Sequence, residues 1–160
     1  MKAMRLLRWT AWALCAVLLA ACASGPVRRV SEPSARIQQL TVQADGRWST
    51  ELRIENFSSV PMRFDRIDLA LRIGDADAGR LAAQPALSVA PESADVVTVV
   101  FAPQLAAKLA VADALAAGRS VNYTLAGSVD ATPEEAKPRS FEIERNSALS
   151  PAPGLPGVMR

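Results

Sequence analysis

From residue 48 to 57 apolar and polar positions alternate. Trp48, Thr50, Leu52, Ile54 and Asn56 fall on one face, and Ser49, Glu51, Arg53 and Glu55 on the other. A period of two with one charged face predicts a half-buried antiparallel strand. Residues 35–42 predict a strand before it, joined through Asp45-Gly46, a strong hairpin turn signal. Ser58-Ser59-Val60-Pro61 then breaks the pattern. Met62 and Phe64 point one way, whereas Ile67, Leu69, Leu71 and Ile73 continue the apolar set with shifted parity. An extra residue at Asp65-Arg66 accounts for that shift and predicts a bulge.

Residues 74–79 predict a turn and 80–89 one or two short strands. Residues 94–102, ADVVTVVFA, are dense in β-branched side chains and read as a central strand. The alanine-rich stretch 103–118 changes period. Leu105, Leu109, Ala112 and Leu115 fall at helical spacing, Pro103 stands near the start and Gly118 at the end. This predicts one helix with its leucine stripe against the sheets. Val121, Tyr123, Leu125 and Val129 mark a further strand, and Phe141 and Ile143 the last. The expected fold is a mostly β, fibronectin-III- or immunoglobulin-like antiparallel sandwich of about seven strands with one α-helix. The domain is expected over residues 35–146. Residues 147–160, rich in Pro and Gly, are expected as a loose tail or a strap on the domain.

The amino terminus follows another pattern. Lys2, Arg5 and Arg8 precede the apolar run WTAWALCAVLLAA, which ends at Leu19-Ala20-Ala21-Cys22. A basic start, a short apolar run and small residues describe a secretory signal over residues 1–21. Those thirteen apolar residues fall short of the roughly 20 needed to span a bilayer. Leu19-Ala20-Ala21-Cys22 resembles the lipobox of bacterial lipoproteins. The resemblance implies cleavage before Cys22, a diacylglyceryl group on its thiol and usually acylation of the new amine. A diacylglyceryl group supplies the two chains that stable anchoring takes. Two other readings are an A-x-A cut at Ala21-Cys22-Ala23, which would release the chain, and an uncleaved signal anchor. Residues 22–34 then form a lipidated tether. Alanine rather than aspartate at position 23 implies, by the same resemblance, transfer to an outer membrane.

Composition changes this picture in two places. Losing Lys2, Arg5 and Arg8 from 18 basic residues leaves 15 against 16 acidic ones, so the basic character of the precursor belongs partly to its signal. With no basic run and little aromatic interleaving, nucleic-acid binding finds no support. Cys15 leaves with the signal and Cys22 is lipidated, so the fold is expected to rest on its core rather than on disulfides. The chain has no histidine, which removes the commonest general base and the usual zinc ligand. No cofactor, metal or small-molecule substrate is expected, and the chain is read as non-enzymatic. The expected partners are membrane lipid through Cys22 and envelope proteins.

Residues 52–71, Leu52-Arg53-Ile54-Glu55-Asn56-Phe57-Ser58-Ser59-Val60-Pro61 and onward to Leu71, resemble the core of the WHy domain of group-2 late-embryogenesis-abundant proteins. That family carries an apolar strand, an Asn-Pro-Asn-like turn, a short gap, a Pro or apolar residue and a second strand. Asn56 and Pro61 occupy the turn positions, while Phe57 and Ser58 depart from the usual Pro and Asn. The resemblance implies a fibronectin-III-like sandwich and protection of proteins or membranes during desiccation or cold. An accessory lipoprotein that binds another envelope protein through a sheet edge is the alternative expectation.

The remaining candidates have plain readings. Asn56 is expected to cap its turn through backbone bonds. Asp75 and Asp77 lack an EF-hand partner, since Gly79 and Ala86 stand where ligands are needed. Asn122-Tyr123-Thr124 has only the form of a glycosylation sequon, and Trp48 is expected in the core. Arg63, Asp65, Arg66 and Asp68 form a solvated charge cluster beside the bulge.

Overall fold

The computed structural model describes residues 28–160. The strands are β1 (Ser34–Val42), β2 (Trp48–Asn56), β3 (Met62–Ile73), β4 (Ala76–Ala83), β5 (Leu87–Val89), β6 (Ser93–Phe101), β7 (Val121–Pro133), β8 (Arg139–Leu149) and β9 (Val158–Met159). The helix, α1, spans Leu105–Ala117 between β6 and β7. One sheet has the order β6-β2-β1-β9. The other has the order β4-β3-β7-β8, with β5 also pairing β3. All pairings are antiparallel, and the two sheets form a β-sandwich. Among the described residues there are nine strands rather than about seven: residues 76–89 hold both β4 and β5, and β9 lies in the segment expected as a tail or strap.

The alternation in β2 decides the packing. Trp48, Leu52 and Ile54 are fully buried, while the charged positions between them stay half-exposed. Across the core stand Met62, Phe64, Ile67, Leu69 and Leu71 of β3. Each such side chain removed from water contributes about 2 kcal/mol. The Trp48 and Phe101 rings meet edge to face, 5.9 Å apart. The change of parity in β3 is a bulge against β7, between Phe64 and Arg66. The β1–β2 hairpin turns at Asp45-Gly46, where the Asp45 carboxylate accepts the Arg47 N–H at 2.9 Å and Gly46 has φ +79°.

Three expectations are corrected. Residues 94–102 belong to an edge strand, not a central one, since β6 pairs only with β2. A valine run suits either place, so composition alone did not choose. Of the expected α1 stripe only Leu115 packs against the core. Ala107, Val111 and Ala114 face the sandwich, while Leu105 and Leu109 are 71% and 62% exposed. The close approach of α1 to β4 favours the smaller side chains inward. Residues 28–33, expected as loose tether, lie hydrogen-bonded along the domain.

Residues 147–160 are a strap. Residues to Leu149 complete β8, and the chain then returns so that β9 pairs with β1. The described core draws on both sheets, the helix and β9. Tyr123, in the middle of the sequon-like triplet, is buried, and its hydroxyl accepts the Ile37 N–H at 3.1 Å. Ile37 borders the bulge of β1, so a phenol from one sheet satisfies a backbone donor that the other leaves unpaired.

Gly127 lies in mid-sheet on β7, paired with Leu69 and Ile143, at φ +152°. A Cβ there would meet the Asp68 carbonyl oxygen at 2.3 Å. Gly127→Ala is therefore expected to destabilise the domain by about 3 kcal/mol or more, because the clash is with backbone. Urea unfolding followed by tryptophan fluorescence measures this; a loss below about 1 kcal/mol would contradict the account.

Candidate functional site

Two connections cross between the sheets at the same end of the sandwich, β2 to β3 and β5 to β6. Asn56 closes β2 there and is buried. Its side-chain amide donates to the carbonyls of Val60 at 2.9 Å, Val89 at 3.2 Å and Ala90 at 3.1 Å. Its side-chain oxygen accepts the Ser58 N–H at 2.9 Å. Two protons thus serve three carbonyls, two of which belong to the other crossing. Asn56 caps its own turn as expected, and it also ties that turn to β5. The second role was invisible in sequence because Ala90 lies 34 positions away.

Pro61 ends the same turn, five positions after Asn56. It follows Val60, whose backbone a succeeding proline biases toward extended geometry. The Pro61 carbonyl accepts the Glu134 N–H at 2.9 Å. Asn56 and Pro61 therefore frame one turn that is bound to the β7–β8 connection as well.

The chain arriving from the amino terminus docks on this same turn. Arg29 and Ser59 exchange backbone and hydroxyl bonds, with the Arg29 N–H donating to Ser59 Oγ at 2.8 Å and the Ser59 N–H to the Arg29 carbonyl at 3.0 Å. The buried Ser58 Oγ accepts the Ser31 N–H at 3.0 Å. The Arg28 guanidinium pairs with the Glu135 carboxylate and donates to the Glu134 carbonyl at 2.7 Å. Sequence reasoning missed Arg28, Ser58 and Glu135; a separation of 107 positions leaves no local signal. The candidate lipidation site Cys22 and its preceding Leu19, Ala20 and Ala21 lie outside the described residues.

Beside the turn is an open cleft of about 520 Å³, lined by Arg29, Arg53, Glu55, Asn56, Phe57 and Glu92 among others. Its charges are matched. Arg53 pairs with Glu55 at 3.0 Å, and Arg29 with Glu92 at 3.7 Å. The Arg53 hydrogen bond holds the Glu55 carboxyl below its ordinary pKa; partial burial opposes the shift, while Ser34 and the Arg36 charge add to it. A carboxylate held ionised in this way is a poor proton donor near neutrality. The cleft offers matched charges and backbone polar groups rather than a nucleophile beside a base.

The other sequence candidates are dispersed. The Asp77 carboxylate accepts the Gly79 N–H and the Gln104 side-chain amide, at 2.8 and 3.2 Å. Asp65 pairs with Arg63 at 3.0 Å and accepts the Thr132 hydroxyl, and Asp68 pairs with Arg80 at 2.5 Å. Arg66 and Asp68 border a second open cleft on the outer face of β3 and β4. Among the described residues no three cysteine, aspartate or glutamate side chains gather in a metal-binding group, and no helix is long and apolar enough to cross a membrane.

No protein-family model and no curated protein matches the chain. Among solved structures, an Arabidopsis thaliana protein determined in solution aligns with 79% of this chain and 83% of its own, at 11% identity and TM-score 0.49. A Bordetella pertussis protein named as ApaA aligns over 81% and 100%, at 12% identity and TM-score 0.48. An Archaeoglobus fulgidus protein aligns over 78% and 98%, at 12% identity and TM-score 0.40. Likenesses at this level say nothing about function or family.

Two outcomes follow from the turn. Asn56→Ala leaves three carbonyls and one N–H without their partner and is expected to cost about 2–4 kcal/mol in urea unfolding. Asn56→Asp, which sets an acceptor against acceptors, is expected to cost more. An Asp variant as stable as wild type would remove the amide's role as donor. For Glu55, a lowered folded-state pKa means that its contribution is full above the unfolded pKa and is lost as pH falls through the folded value. Glu55→Gln should therefore reduce stability near neutrality and flatten part of the acid limb of the stability–pH curve. Parallel acid limbs for the two proteins would contradict this.

Proposed function

We propose that the chain is a bacterial lipoprotein, held by an acylated Cys22, whose WHy-like sandwich protects envelope proteins or membranes during desiccation or cold without enzymatic chemistry. Three observations support the reading: the Leu19-Ala20-Ala21-Cys22 sequence, the resemblance of residues 52–71, and the matched charges of the cleft. The observation that carries it is the docking of the arriving chain. Among the described residues the first bonds to the domain are made at Arg28, six positions after Cys22. An anchored Cys22 would thus keep the sandwich close to its bilayer, with a fixed end toward the lipid.

A second reading is favoured by β6. This nine-residue edge strand has no proline or lysine and one charge, Asp95. Long apolar edges without such guards invite another strand. An accessory lipoprotein would add a partner's strand there. A single stoichiometric protein retained from envelope extracts would favour that reading over the first, and weak, promiscuous contacts the reverse.

Residues 23–160, freeze-dried with a labile enzyme, are expected to raise its recovery clearly above that given by an equal mass of albumin. Recovery equal to albumin would remove generic protection as the main role. The full chain is expected in the membrane fraction of cells and its Cys22→Ser variant depleted from it; equal distribution would remove the acyl anchor.

A further inference from the structure

Helix α1 holds eleven apolar residues and two charged ones, Lys108 and Asp113. Here one face, Ala107, Val111 and Ala114, closes the sandwich, and the opposite face is open. Leu105, Leu109, Ala112 and Ala116 form that outer stripe, and the two leucines are among the largest exposed apolar residues of the domain. Beside it runs an open groove of about 510 Å³ between Leu115 and Ala116 of the helix and Pro151, Leu155 and Pro156 of the strap. Leu155 is 45% exposed. Single exposed leucines need no explanation, but a contiguous patch of this kind marks a binding surface.

We propose that this patch holds uncharged, apolar segments of other proteins as they unfold. The inference rests on the protective reading above and supplies its contact surface. The patch has the chemistry for such an occupant. Its stripe and groove carry no charged side chain; Lys108 and the Asp113–Arg119 ion pair stand at its edge. Apolar contact is non-directional, so an open groove of Leu, Ala and Pro admits many sequences rather than one.

The position of the patch argues against the chain's own bilayer as its occupant. Three residues separate β6 from α1 and three separate α1 from β7, so the helix sits at the end of the sandwich marked by Phe101, Ile73 and Val121. The arriving chain docks at the opposite end, by Ser58 and Glu135. The twelve residues of β3 separate these ends by roughly 40 Å. The residues between Cys22 and Arg28 reach at most about 20 Å. In a domain standing on Cys22 the patch is thus at the end remote from its own bilayer.

The test uses residues 23–160, which contain every described element. Reduced, carboxymethylated α-lactalbumin serves as a permanently unfolded probe and its native form as comparator. The wild type is expected to bind the unfolded form at least tenfold more tightly than the native one. The Leu105→Glu/Leu109→Glu variant should lose at least tenfold in that binding. Both side chains are exposed, so its Tm is expected within about 3 °C of wild type. A variant that folds and binds the probe as wild type does overturns the proposal. So does variant-sensitive binding to phosphatidylethanolamine–phosphatidylglycerol vesicles without binding to the probe, which assigns the patch to lipid. A variant-sensitive dimer in sedimentation, again without probe binding, assigns it to a second copy. The protective reading fails separately: recovery no better than albumin, with variant-sensitive probe binding intact, keeps the site and removes the role. Recovery above albumin that the variant fully retains keeps the role and overturns the site.

Discussion

The structure depends on one buried amide. A sandwich needs connections that leave one sheet and enter the other, and each crossing breaks the ladder bonds that would satisfy its backbone. Here two crossings meet at Asn56, and its side chain accommodates both. A leucine or valine in that place would fit the apolar face of β2 but leave carbonyls bare in a dry interior, at a few kcal/mol. The asparagine therefore ends β2, sets the geometry of the turn before Pro61, and holds β5 close enough for β6 to begin beside β2. The docking of residues 28–31 on Ser58 and Ser59 is built on that same turn.

This arrangement gives the molecule two unlike ends. One is polar, rich in backbone bonds and matched charges, and receives the chain from its amino terminus. The other is closed by a helix without a side-chain N-cap or first-turn acid, and its stability comes from packing small residues against β4. Glycine ends that helix in a left-handed cap, with the Arg119 N–H returning to Ala114. The polar end is determined by geometry, whereas the helical end is defined by surface area. The proposed division of labour, attachment at one end and contact at the other, follows that difference.

Much of the fold was legible because charge and apolarity disagree along its strands. In β2 the alternation of Leu52 and Ile54 with Glu51, Arg53 and Glu55 permits one orientation only. In β3 the parity change announced the bulge for the same reason. Legibility failed where a segment is apolar on both sides. The valines of β6 fit a central strand as well as an edge. In α1 the leucine stripe is larger than the Ala107–Val111–Ala114 stripe, and hydrophobicity alone favoured the wrong face; the available space decided otherwise. Of the candidate site, Asn56 and Pro61 were visible through local turn chemistry. Their partners Val89, Ala90 and Glu134 were not, because tertiary hydrogen bonds leave no periodic trace.

The strap carries a consequence for the order of folding. β1, the first strand described, pairs on one side with β2 and on the other with β9, which holds Val158 and Met159. A chain emerging from its amino terminus can form the β1–β2 hairpin early, yet the second flank of β1 stays open until Val158 and Met159 have appeared, more than 110 positions later. Contacts so distant in sequence are slow to form. The sheet is thus sealed only when Val158 and Met159 are available to pair with β1.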